Sequence, residues 1–112
     1  MGMWIAADEL ADAIGIYAEE LRRSGARAVE TQTETDAGLP RMSFELSDAS
    51  GDFIVVIPSA TLVPMCMSLL PLLRSPNDPE PVRGLLSDQL MGLWSEIELE
   101  RRRRPGVAEI VL

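Results

Sequence analysis

Histidine and lysine are both absent from the chain, and cysteine occurs once. Without an imidazole, the side chain best suited to proton transfer near neutral pH is missing, and acid–base chemistry would fall to carboxylates. With one thiol, Cys66, no disulfide framework is available. Its place in the most apolar stretch reads as that of a small hydrophobe in a reducing compartment. Positive charge is also short: 10 arginines face 18 acidic residues, for a net charge of −8. That balance repels phosphate backbones and anionic lipid surfaces, so nucleic acid is not an expected partner. The N-terminus has no basic stretch leading into an apolar one; a secretory signal is not supported and the cytoplasm is the default. At 112 residues the chain has room for one domain, spanning 1–112, and not for two independent cores.

What is there is organised around residues 53–73, an uncharged run between Asp52 and Arg74. A run of this length has to be tested as a membrane span. Pro58, Pro64 and Pro71 would each remove a helix hydrogen bond, and the β-branched residues at 54–57 prefer a strand. The run therefore reads as two elements and no membrane insertion: a buried strand, Phe53 to Ile57, then a helix from 59 to 73 with Ser59 as its N-cap. Leu62, Met65, Cys66, Leu69, Leu72 and Leu73 recur in that helix at the helical period.

Around this centre the spacing predicts a first helix over 7–23, with Leu10, Ile14, Tyr17 and Leu21 on one stripe and Gly25 ending it. Residues 27–35 read as an edge strand and 36–40 as a turn. Met42, Phe44 and Leu46 alternate with polar residues as a half-buried strand, joined through the turn at 47–52 to Phe53–Ile57 in an antiparallel hairpin. After a stiff, proline-rich connector, Val82, Leu86, Leu90 and Leu93 mark a helix expected to stop near Trp94. Ser95 to Glu100 then alternates as a strand would, Arg101 to Gly106 is a basic loop, and Val107 to Leu112 is a last strand. The fold class that follows is α+β, a small, mainly antiparallel sheet flanked by about three helices.

Candidate chemistry is sparse. Glu96, Glu98 and Glu100 on one strand face would offer carboxylates to a hard cation, but alternation with Ile97 and Leu99 reads as the wet face of a half-buried strand. Cys66 lies between Met65 and Met67 with no base in sight. Ser59 follows a strand and precedes a helix, yet Ile57-Pro58-Ser59-Ala60 lacks the glycines of a nucleophile elbow. No phosphate-cradling glycine loop occurs. No catalytic residue, cofactor or metal is expected. Surfaces remain: Val63, Met67 and Leu70 lie on faces of the apolar helix outside its main stripe, as a helix shared with another chain would place them. Arg101, Arg102, Arg103 and Arg104 form the one basic cluster, able to grip phosphate or an acidic partner, or to be neutralised by the neighbouring glutamates. Either set is a candidate protein interface, with a partner protein or a second copy.

Phe44-Glu45-Leu46, the turn closing in Gly51-Asp52-Phe53, then Ile54-Val55-Val56-Ile57-Pro58 with Leu62 and Pro64 behind it, resemble the middle domain of the flagellar motor switch protein FliM. The resemblance extends over about 42–100, with Val82 to Leu99 standing for that family's next helix and following strand. It implies an α/β/α-type, non-enzymatic assembly domain related to the chemotaxis phosphatase fold, a component of a flagellar rotor or type III secretion ring. The family's C-terminal rotor-ring domain and glycine-rich docking motif have no counterpart here, and the phosphatase's acidic-Asn pair is missing. The alternative is a small acidic inhibitor of the antitoxin, immunity or anti-defence kind, setting carboxylates such as Asp12, Glu19, Glu30 and Glu34 against a basic site.

Overall fold

The computed structural model describes residues 7–33, 38–74 and 78–112. Along the chain they form α1 (Ala7–Arg23), β1 (Arg27–Thr33), β2 (Pro40–Asp48), β3 (Gly51–Ile57), α2 (Ser59–Leu73), α3 (Glu80–Arg103) and β4 (Glu109–Val111). The sheet order is β1-β2-β3-β4, antiparallel through β3 and parallel between β3 and β4. The fold is thus α+β with a mixed, mainly antiparallel sheet, as the patterning predicts. Glu34 and residue 35 of the expected edge strand, and residues 36 and 37 of the expected turn, lie outside the described residues.

The first helix behaves as its stripe requires. Tyr17 and Leu21 are each 1% exposed, and Gly25, at φ +101°, adopts the left-handed conformation that lets Ala26 N–H reach the Leu21 carbonyl at 3.0 Å. β1 is an edge strand with one irregularity: the register steps from Arg27 opposite Glu45 to Glu30 opposite Ser43, which inserts an extra residue. Ala28 absorbs it at φ +50°, where a Cβ is unwelcome. Replacing Ala28 by glycine should therefore raise stability by about 0.5–1 kcal/mol, the relief exceeding the entropy glycine adds to the unfolded chain. A urea midpoint that falls in this variant would show that residue 28 does not hold a left-handed conformation in solution.

β2 and β3 pair in the expected hairpin, with Met42 opposite Ile57, Phe44 opposite Val55 and Leu46 opposite Phe53. These residues meet Ile110 of β4 and the apolar sides of all three helices in one hydrophobic cluster. The opposite pleat carries Ser43, Glu45, Ile54, Val56, Glu109 and Val111. Val56 is buried yet lies outside the cluster. The sheet accordingly has a helix-covered face and, among the described residues, an open one. The uncharged run is divided at Pro58, whose carbonyl accepts from Thr61 and Leu62 as the N-cap of α2. Pro58, not Ser59, holds the cap, and Ser59 is the first helical residue. No helix of the described residues is long and apolar enough to cross a membrane.

The largest departure from the sequence reading is α3. Residues 95–100 are not a strand: the helix runs unbroken from Glu80 to Arg103. Its buried stripe is Leu86, Leu90, Leu93 and Ile97, which continues the four-three-four spacing past Trp94. Ile97 is 4% exposed and Leu99 45%, as a helix dictates and as a strand with both on one face would not. Arg101 to Arg103 then form the last helical turn, where cations suit the helix dipole, and the basic loop shrinks to Arg104–Gly106. The strand that the FliM resemblance wants after this helix is correspondingly absent from 95–99.

Candidate protein interface

Three surfaces emerge once the core is assigned. The first is the outward side of α2. Leu62, Cys66 and Leu69 are fully buried, and Leu70, a predicted interface residue, is 6% exposed and belongs to the core. Leu70 is therefore unavailable to a partner in this conformation, because α2 is gripped by α1, α3 and β2 over more than one side. Val63 and Met67 are half-buried and stand between exposed Ala60, Pro64, Ser68 and Pro71. This strip carries no charge in 15 residues. Pro64 and Pro71 offer no N–H to the carbonyls of Ala60 and Met67, so two backbone acceptors on the strip lack their helical donor.

The second surface is the predicted arginine cluster, which the structure divides. The Arg101 side chain, 9% exposed, donates through Nε and Nη2 to the two carboxylate oxygens of Asp48 at 2.7 and 2.8 Å. Its Nη1 donates to the Val107 carbonyl at 2.7 Å, and its guanidinium carbon lies 4.0 Å from the centre of the Phe53 ring. The fork geometry and the ring face both suit guanidinium. Arg101 thus fastens the end of α3 to the β2–β3 turn and is spent inside the molecule. The hydrogen-bonded guanidinium holds the Asp48 carboxyl below the usual carboxylate range, helped by the Ser50 backbone N–H. Arg103 and Arg104 both reach Glu100, at 3.5 and 2.8 Å, so the glutamates neutralise the cluster locally. Arg102 is exposed beside a groove of about 450 Å³ lined by Leu46, Phe53, Trp94 and Ile97.

The third surface was not picked out from the sequence: the open face of the sheet. Ile54 is 42% exposed and Val111 60%. Because Phe53–Ile57 forms one apolar run, periodicity alone cannot reveal that alternate members face away from the helices.

Reactive chemistry does not assemble on any of these surfaces. Burial pushes the Cys66 thiol up to about 11, so at neutral pH it is a protonated core group. Tyr17, likewise raised by burial, donates its hydroxyl proton to the Met65 carbonyl at 2.8 Å and meets the Gln89 side-chain amide, tying α1 to α2 and α3. On the helix Glu96 and Glu100, four apart, lie on one side and Glu98 on another, and among the described residues no group of three His, Cys, Asp or Glu could hold a metal ion. Comparison with known proteins gives no family model, no curated protein and no solved structure that matches the chain.

Proposed function

We infer that the chain is a non-enzymatic protein-interaction domain, an assembly component of the flagellar-rotor or secretion-ring kind or a relative of one. The observation that carries this reading is the strip Ala60, Val63, Pro64, Met67, Ser68 and Pro71: an apolar, chargeless side of a central helix on a protein of net charge −8. Such a strip gains from being covered, and its two donor-poor carbonyls give a covering chain hydrogen bonds to make. The order hairpin, Pro58, α2 with Pro64 inside it also supports the likeness to the switch-protein middle domain over 42–73.

The test is capture of a partner, or concentration-dependent self-association by light scattering, with Met67→Asp and Arg102→Glu. Loss with Met67→Asp alone is the expected outcome, by about tenfold or more in affinity, because a carboxylate would be desolvated against an apolar partner surface. Retention with Met67→Asp and loss with Arg102→Glu would overturn the assignment in favour of the arginine turn. The inhibitor reading is favoured by a separate observation: Asp8, Asp12 and Glu19 are exposed along α1 at spacings that keep them near one side. A basic toxin or nuclease site is the target it implies.

A further inference from the structure

The open face of the sheet repeats a simple chequerboard. Across β2, β3 and β4, Ile54 sits between Glu45 and Glu109, and in the next row Val56 sits between Ser43 and Val111. Glu30 of β1 flanks Ser43 on the same face. The arginines of this face are occupied within it. Arg27 donates to Ser47 at 2.7 Å and to Asp52 at 3.3 Å, and Arg41 donates to Gln32 at 2.9 Å. Val56 is buried, so Ile54 and Val111 are the exposed apolar members of the face, with Glu109 on one flank and Glu45, across from Arg27, on the other.

Among the described residues the face ends at an edge strand. β4 is the terminal strand, and its parallel ladder to β3 runs through Ile54 N–H to Ala108 and Leu112 N–H to Val56, both at 2.9 Å. A parallel ladder that uses residues 108, 110 and 112 turns the backbone N–H and C=O of Glu109 and Val111 away from β3. Those are the groups to which another strand would pair.

We propose that β4 receives an extended, cationic segment of a partner protein in which an arginine or lysine and a β-branched residue stand two positions apart. Pairing along Glu109 and Val111 supplies main-chain hydrogen bonds. The period of two then sets the basic side chain beside Glu109 and the apolar one beside Val111, on the face that also carries Ile54. Charge decides against a second copy as the occupant, since the same patch would set glutamates against glutamates at net charge −8 on each chain. This surface is separate from the α2 strip.

The experiment is an NMR titration of the isotopically labelled chain with a short end-capped peptide repeating Arg-Thr-Val-Thr. Its controls are a peptide of the same composition with the Arg and Val residues in separate blocks, and oligoarginine of equal length. Saturable amide shifts centred on Ile54, Glu109, Ile110 and Val111 are expected, weakened about tenfold by Glu109→Lys and by raised salt and unchanged by Met67→Asp. Equal binding of the blocked peptide or oligoarginine would reduce the effect to diffuse attraction and overturn the proposal. So would shifts centred on α2 or α3, or none that saturate. Failure here leaves the α2 reading standing, because that reading is decided by Met67→Asp in the capture experiment.

Discussion

Phe44→Ala is expected to cost about 3–5 kcal/mol, the range for removing a buried aromatic ring from a packed core. Phe44 is 1% exposed on β2, and its ring meets Trp94 of α3 edge to face, with centroids 6.2 Å apart at 79°. That contact carries unusual weight because α3 reaches the sheet through long side chains rather than close backbone approach. Removing the ring leaves a void between helix and sheet, loses the aromatic pair, and frees Trp94 to move. Against the roughly 5–15 kcal/mol that holds a small domain together, the variant would be partly unfolded at physiological temperature. Denaturant titration should show a large fall in midpoint with little change in slope, and Phe44→Leu should recover most of the loss. A midpoint within experimental error of the parent would mean that α3 is not seated on β2.

The parts of this fold that could be read in advance are those whose signals are local and unopposed. The division of 53–73 is such a case. β-branched residues stop at a proline, the period changes, and no charge confuses the pattern, so β3 and α2 fall within a residue or two of their expected places. The hairpin follows from turn residues and matched alternation. By contrast, 95–100 carries two patterns at once. Alternating glutamates suggest a strand, while Leu93, Ile97 and Arg101 continue a helix. Glutamate and leucine favour the helix intrinsically, and burial of Ile97 with exposure of Leu99 satisfies only that choice. The parallel pairing of β4 with β3 depends on the path of the chain across the whole domain, which no local window contains.

The surfaces divide along the same line. Val63 and Met67 were visible because a chargeless helix must put something outward. Leu70 was assigned with them because seven residues span two turns, and only the packing of α1 and α3 against α2 decides which side is covered. The open sheet face was hidden by its own composition: Ile54, inside an apolar run, looks like core until it is known that the three helices cover the other face. The arginines were legible as charge and not as geometry. Arg101 is set apart by a carboxylate 53 residues away in sequence, while Arg103 and Arg104 turn to neighbouring Glu100.

That distant carboxylate sets the behaviour of the fold in acid. Asp48 has its folded pKa held below the unfolded value by Arg101, so its contribution to stability is fully present above about pH 4, the ordinary aspartate value. It is lost as pH falls through the lower, folded value. Asp52, lowered by its Ser47 hydrogen bond and by Arg27, acts with the same sign and more weakly, being largely exposed. Through these two carboxylates, stability should hold from neutral pH down to about 4 and then fall. In Asp48→Asn that fall should be shallower and start from a lower neutral-pH plateau. Asp48→Ala should be worse than Asn at neutral pH, since it leaves a guanidinium that is nine-tenths buried with only the Val107 carbonyl and the Phe53 ring. Arg101→Met, which keeps an apolar body over Phe53 and removes the charge, should be milder than Asp48→Ala despite losing the same ion pair. The order at pH 7, parent above Arg101→Met above Asp48→Ala in melting temperature, separates the cost of an unpaired buried cation from the worth of the pair. The reverse order of the two variants would show that Arg101 reaches water when Asp48 is gone, and that the end of α3 is not clamped to the turn as described.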